Sequence, residues 1–413
     1  VTGSERGSTN RPALSRCIRV SADEFAERHW GREPLLSPAS ELDGEHGFDD
    51  LFSAGAVDEL VTRRGVRTPF IRMAHEGSVL AASAYTGSGG FGAEVVDQVS
   101  SDKVLAEFAG GATIVLQGPH RLWPPIIDFT RELVDDLGHP AQVNAYVTPP
   151  SSQGFDPHYD THDVFVLQIS GEKYWRIHAP VHVDPLRTQP WEQHRAAVAR
   201  AATHEPVIDA VLRPGEALYL PRGWIHSATA LGATSVHLTV GLAAFTRADL
   251  VDALLRRVGE NPALRTSLPL GVDLRDPAAL APIVEQTVQA LIETLQQTDA
   301  SRPAAVLSAR FDADTRAEPV APLATLDALA TLDASTRVRW RGSLPVRMTT
   351  ADDRVRIVGR MKTLSLPAEA EPAVRRLATG DPVTAGELPG LDAESAVVVV
   401  RRLVREGFVV APA

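Results

Sequence analysis

The sequence predicts a mainly β domain, an antiparallel sandwich or barrel with flanking helices. A helical region and a small C-terminal module of mixed helices and strands are expected to follow. Three observations lead there. Between residues 142 and 244, short runs rich in β-branched and aromatic residues are separated by Pro, Gly and Asp. From 246 to 310, Leu and Val recur at helical spacing: Leu250, Leu254, Leu255 and Val258, then Val284, Val288, Leu291 and Leu295. From 338 onward, two strand-like runs precede a helix, a short segment, a second helix and a terminal strand, the rhythm of a winged helix. The chain has 413 residues, more than the roughly 100–200 of one domain.

Residues 1–15, rich in Ser, Thr, Gly and Arg, are expected to be disordered. Residues 21–30 open with a Ser capping signal and predict a short helix. Further helices are expected at 57–64 and 126–137, and a strand at 112–117. Strands are expected at 143–147, 164–169, 174–178, 217–220 and 235–243. Pro214-Gly215-Glu216 and Pro221-Arg222-Gly223 are turns bracketing the short strand 217–220. A Pro- and Ala-rich connection near 319–323 follows the helical region. After it come strands at 346–348 and 355–358, helices at 371–377 and 393–406, and a terminal strand at 407–410.

Hydrophobic residues make up 44% and charged residues 23%, ordinary values for a soluble globular protein. Apolar stretches are short and interrupted by charge, so no membrane span is expected. Val1 to Asn10 lack the apolar core of a secretory signal, which leads to a cytoplasmic expectation. The single Cys17 excludes a disulfide framework and a cysteine zinc site within the chain. Any metal site must therefore use His and carboxylate. The net charge, 41 − 52 = −11, argues against coating nucleic acid or an anionic membrane with the whole surface. Of the 41 basic residues only Lys103, Lys173 and Lys362 are lysine, so a lysine inside a motif carries more weight than usual.

The informative stretch runs from Asp156 to Gln168. His158 and Asp160 are two apart, so on a strand both side chains share one face. His226 follows the Pro-Arg-Gly turn and lies 68 residues beyond His158. Two histidines and one carboxylate can form the facial triad of a non-haem iron site, which leaves positions open for cosubstrate and oxygen. With thirteen histidines in the chain a chance H-x-D is common, and the β-rich context is what gives this one meaning. From the residues alone, a barrel metal site and a barrel without metal both stand.

Several separated segments resemble the JmjC-type, cupin-like ribosomal oxygenase family. Phe25-Ala-Glu-Arg-His-Trp-Gly-Arg-Glu-Pro-Leu looks like the family's entry helix. Ser152-Gln-Gly-Phe-Asp-Pro-His-Tyr-Asp, followed by Asp163-Val-Phe-Val-Leu-Gln, looks like its first metal strand. Pro214-Gly-Glu-Ala-Leu-Tyr-Leu-Pro-Arg-Gly-Trp-Ile-His looks like its second, and Ser235-Val-His-Leu-Thr-Val-Gly like its closing strand.

The resemblance implies a double-stranded β-helix, with His158, Asp160 and His226 as iron ligands. By the same resemblance Lys173 pairs with the distal carboxylate of 2-oxoglutarate, and Asn144 and Thr239 hydrogen-bond that cosubstrate. Tyr146 and His237 are expected in the substrate cleft. His162 is expected to line the cleft at most, and His178, His182, His194 and His204 to be solvated. The implied division is a disordered terminus at 1–15, a catalytic domain at 16–245, a helical dimerisation region and linker at 246–335, and a winged helix at 336–413.

The function implied is hydroxylation of a side chain of a protein or peptide, a ribosomal protein first, using Fe(II), 2-oxoglutarate and O2 and releasing succinate and CO2. A ribosomally made peptide or a small molecule stands as an alternative substrate. A metal-binding cupin without oxygenase activity and a winged-helix nucleic-acid regulator stand as readings from other classes. A homodimer is expected, and neither a membrane nor a nucleic-acid partner is. From Arg341 to the end, eleven Lys/Arg oppose nine Asp/Glu, and the helix at 393–406 reads as a packing helix more than a reader of DNA.

Overall fold

The computed structural model describes residues 11–43, 47–75, 77–92, 94–150, 156–360 and 362–411. The chain divides into two compact units, Val1–Ala244 and Phe245–Ala413. The first is built on one antiparallel sheet of nine strands: β1 (Leu35–Ser37), β2 (Ile71–His75), β3 (Ser78–Val79), β4 (Thr113–Gln117), β5 (Ala141–Thr148), β6 (Asp163–His178), β7 (Ile208–Leu212), β8 (Ala217–Leu220) and β9 (Ile225–Leu242). Their order is β1-β8-β6-β9-β5-β4-β2-β3, with β7 paired to the Lys173–Ile177 part of β6.

The two-residue period of the strands sorts their side chains into two populations. Val143, Ala145 and Val147 of β5, Phe165, Leu167 and Ile169 of β6, and Val236, Leu238, Val240 and Leu242 of β9 belong to one core. The buried faces of helices Ala54–Arg63 and Pro124–Leu137 complete it. The alternate residues Val164, Val166, Leu218 and Leu220 cluster with Trp175 on the other side of the sheet. Each fully buried Val, Leu or Phe contributes about 1.5–3 kcal/mol, so the alternation fixes which face the polar residues of the same strands must take.

β6 and β9 are longer than the separate segments read from the sequence, because both strands run on through irregular points instead of ending at turns. Gly171 has φ +64°, and a Cβ there would collide with the Thr234 carbonyl oxygen. Glycine thus lets the strands stay paired across a register shift between Leu231 and Val236. The Gln168 amide spans the irregularity, donating to the carbonyls of Ser170 and Gly171 at 3.0 and 3.1 Å and to Ser235 Oγ at 2.9 Å.

The expectation of disorder for 1–15 needs correction where the chain is described. Residues 1–10 lie outside the described residues, but Pro12–Ser15 is helical with Ala13 and Leu14 buried. The carboxylate of Asp136 accepts from both Ala13 N and Leu14 N at 2.9 Å, which satisfies the first amides of that turn. Helix 21–30 is also subdivided, into Ala22–Glu24 and a wider π turn over Phe25–His29.

The second unit begins with helices Arg247–Leu255, Pro277–Gln296, Ser301–Asp314 and Pro322–Thr331. Two three-stranded sheets follow, one pairing Arg337–Trp340 with Val383–Thr384 and Val409–Val410, the other built from Val346–Ala351, Arg354–Gly359 and Thr363–Pro367. The strands 337–340 and 363–367 were not expected from the sequence. Helix Ala393–Arg405 is capped by Asp392, which accepts from Ser395 N at 2.8 Å. It buries Ala396, Val399, Val400, Leu403 and Val404 in this unit's core. Among the described residues no helix is long and apolar enough to cross a membrane.

Candidate metal centre and its cavity

The inner face of the sheet encloses a cavity of about 630 Å³. Residues 156–162 precede β6 and meet the start of β9 through an isolated bridge. His158 N donates to His226 O at 3.2 Å, and His226 N to His158 O at 2.8 Å. The chain alternates here without a regular ladder, so His158 and Asp160 line the cavity while Tyr159 between them is buried elsewhere. Ser152-Gln-Gly-Phe of the proposed metal strand lies outside the described residues.

His158, Asp160 and His226 each offer one ligand atom, and these atoms all lie within 4.8 Å of one another. The His226 Nε2 to Asp160 Oδ2 distance is 3.9 Å, and the two imidazole centroids are 4.4 Å apart. His158 Nδ1 bonds to Asp156 O at 2.6 Å and His226 Nδ1 to Trp224 O at 3.0 Å. A carbonyl oxygen can only accept, so both Nδ1 atoms carry a proton, which leaves Nε2 as the ring atom that can face a metal. Burial pushes the His226 imidazolium down to about 4, so the ring is neutral at physiological pH. Burial alone would raise the Asp160 carboxyl. The neighbouring His162, His226 and His158 outweigh it and hold the group below the usual carboxylate value.

The cavity has a buried end and an open end. Thr113, Thr148, Lys173, Trp175 and His237 are all buried among its lining. Lys173 Nζ donates to Thr148 Oγ1 at 3.3 Å, and no carboxylate among the described residues pairs with it. Desolvation pushes its ammonium down to about 7. Asp156, Trp191, Glu192 and Arg195 form the open end with Gly77 and Ser78. The Arg195 guanidinium lies 4.4 Å over the Trp191 ring, and that ring is 6.2 Å from His158.

Of the residues singled out from the sequence, His158, Asp160, His226, Lys173, Thr239, Tyr146 and His237 all line this cavity. Asn144 does not. It shares the face of Tyr146 and Thr148 but sits one pair further along β5, opposite Thr239 and Gln117. Tyr146 stacks on His237 at 5.1 Å and 5°, and its hydroxyl hydrogen-bonds Arg72 of β2. His162 packs against Gly241, where a Cβ would lie 2.7 Å from the ring.

His178 is not solvated as expected but buried on β6 opposite Ile225, and His182 and His194 stack on each other at 4.6 Å. Sequence reading missed Arg72, Thr148, Trp175 and Trp191. For Thr148 and Trp175 a signal existed, since each lies two residues from a chosen residue and so on the same face. For Arg72 and Trp191 there was none.

Residues 122–250 match the model of the JmjC domain family. Ribosomal oxygenase 1 of Gallus gallus is 33% identical over 223 residues, which cover 54% of this chain and 35% of that protein. The bifunctional lysine-specific demethylase and histidyl-hydroxylase NO66 of Drosophila persimilis is 29% identical over 259 residues, 60% of this chain and 35% of that one. The chain thus spans about a third of the length of these curated relatives. Among solved structures, the Escherichia coli ribosomal oxygenase YcfD in complex with cobalt and 2-oxoglutarate has the same fold. Its TM-score is 0.50 at 20% identity, over 96% of this chain and 99% of that one. Residues 122–250, which carry the triad and Lys173, are thus similar to a JmjC domain.

Proposed function

We propose that this protein is an Fe(II)- and 2-oxoglutarate-dependent oxygenase that hydroxylates a side chain of a protein or peptide, a ribosomal protein being the first candidate. One observation carries the reading: a two-histidine, one-carboxylate triad shares its cavity with a buried lysine that has no carboxylate partner among the described residues.

The donor set fits the metal. Two imidazole nitrogens and one carboxylate oxygen on one side of an ion suit iron(II) and leave its other side open. The lysine fits the cosubstrate, because a buried ammonium without a counter-charge is complementary to the distal end of a dicarboxylate. When bound, iron and 2-oxoglutarate supply the oxidation: one atom of O2 enters a substrate C–H bond and the other ends in succinate as CO2 leaves.

The protein's own residues position the reactants. The carbonyls of Asp156 and Trp224 orient the ligand rings, and Lys173 with Thr148 holds the distal carboxylate. Val164, Val166, Leu220 and Ala228 give the cavity dry walls. At the open end Asp156 and Glu192 outnumber Arg195, whose guanidinium stacks on Trp191, and this balance favours a basic segment of substrate, which is the chemistry of ribosomal proteins.

We further propose that residues 16–245 form the catalytic domain, that 246–335 carry a homodimer contact, and that 336–413 act as a winged-helix packing module.

The test is an anaerobic titration with Fe(II) and then 2-oxoglutarate, followed by the visible charge-transfer band of the chelated keto acid. A saturable band in the wild type that is lost in His226→Ala is the expected result. Iron binding without a band would leave a metal-binding barrel of another purpose. A gain of one oxygen on a peptide, read by mass spectrometry, would then identify the substrate.

A further inference from the structure

Two of the three ligands, His158 and Asp160, sit on a segment that the sheet holds weakly, whereas His226 lies at the start of β9, paired with Ile177 of β6. Residues 156–162 share only the isolated bridge with β9, and the turn at 221–224 leads into β9 one residue before His226. The spacing of the triad therefore needs support from outside the ladders. The insertion at 179–207, between β6 and β7, meets both segments.

Tyr159, the residue between His158 and Asp160, is buried with Val198 of the insertion helix Arg195–Ala201 and with Ile225, the neighbour of His226. Trp191 and Ala201 pack around them. The Tyr159 hydroxyl donates to Gln189 O at 3.0 Å. The Gln189 side-chain oxygen in turn accepts from Leu186 N at 2.9 Å and from His182 Nε2 at 3.2 Å, which closes the insertion's own turn.

On the second segment, Gly223 N donates to Asp160 O at 2.9 Å. Gly223 has φ +88°, and a Cβ there would lie 2.7 Å from His182 O and 2.9 Å from Pro185 Cδ. Arg222 pairs with Asp184 of the insertion at 3.3 Å.

We propose that the insertion is a clamp that sets the spacing of the metal ligands, with Tyr159 as a positioning residue and Gln189 as the contact that holds it. The inference rests on the metal-centre reading above. A side chain that packs behind a ligand pair fixes ligand geometry as a hydrogen-bonded outer partner does, and loss of such partners weakens metal binding about 10–100-fold.

The experiment titrates the full chain with Co(II), reading affinity and the visible d–d spectrum, with thermal melting alongside. Tyr159→Ala is expected to weaken Co(II) binding at least ~10-fold and to alter the spectrum. Tyr159→Phe keeps the ring and loses the hydrogen bond to the Gln189 carbonyl, so a smaller loss of roughly 3–10-fold is expected. Gln189→Ala keeps that carbonyl but removes the side-chain oxygen that closes the turn presenting it, and a loss in the same range is expected. Arg187→Ala, an exposed change on the same insertion, is expected to leave affinity and spectrum as in the wild type.

Wild-type affinity and spectrum in both Tyr159→Ala and Gln189→Ala would overturn the clamp. If Tyr159→Ala fails to fold, Tyr159→Phe and Gln189→Ala decide together, and wild-type binding in both overturns the proposal. A wild-type protein that takes up no Co(II) would instead overturn the metal centre itself, and the clamp with it.

Discussion

Lys173 is buried at a cost that a bound dicarboxylate would relieve. Its pKa of about 7 in the folded chain lies well below the ~10.4 of a solvated lysine, so the unfolded chain binds more protons between these values. The sign follows directly: with cosubstrate absent, this group makes stability rise as pH climbs from about 7 toward 10. Lys173→Met is therefore expected to raise the melting temperature of the ligand-free protein and to flatten that rise.

Binding runs the other way. A dicarboxylate beside Nζ favours the ammonium, so 2-oxoglutarate should take up a proton on binding and bind more weakly as pH climbs above 7, by at most ~10-fold per unit. Calorimetry in two buffers of different ionisation enthalpy measures the proton uptake. Zero uptake at pH 8 would place the carboxylate anchor elsewhere. Burial acts on Cys17 in the same manner, pushing its thiol up to about 12. A thiol-specific chromogenic reagent at pH 8 should leave it unmodified in the native protein and titrate one thiol in denaturant, since only the thiolate reacts.

At the level of strands, Gly171 is where β6 gains its length and where the register of Lys173 is set. Gly171→Ala puts a Cβ against the Thr234 carbonyl at a left-handed φ, with an expected loss of about 2–4 kcal/mol in urea unfolding. A loss below ~0.5 kcal/mol would mean that the strands slip past the clash without effect.

The same strands explain what could be read beforehand. His158, Asp160 and His226 stood out because few residue types bind metal and their spacing suits extended chain. Lys173 was assigned through the family resemblance, and the scarcity of lysine in this sequence lent it support. Alternation put Asn144 on the face of Tyr146, but how far along β5 the cavity reaches depends on which strands close over it, and that no spacing shows. Arg72 and Trp191 were invisible for a related reason. One reaches the cavity from a strand 86 residues before His158, the other from an insertion whose polar composition hides the Val198 and Tyr159 contact. The helix Pro12–Ser15 escaped notice because its amides are satisfied by Asp136, more than 120 residues away.

For the whole molecule, the proposed homodimer can be weighed through charge and apolar surface. Helix Pro277–Gln296 has no buried residue, and Val284, Val288 and Ile292 are 57%, 48% and 43% exposed. Their spacing of four places them along one side of the helix. Against association stands the net charge of −11 on each copy, which makes two chains repel at long range. Salt screens that repulsion within a Debye length of ~8 Å at 0.15 M but leaves apolar contact intact. A dimer built on this face should therefore tighten as ionic strength rises, the reverse of one built on ion pairs. Light scattering from 0.05 to 0.5 M NaCl is expected to give twice the 44.4 kDa chain mass at micromolar concentration, with a dissociation constant that falls as salt is added. Replacing Val284, Val288 and Ile292 together by Lys should give the single-chain mass at every salt concentration. If that triple variant stays dimeric, the contact lies on another face; if the wild type has the single-chain mass throughout, the exposed stripe does not join two copies of this chain.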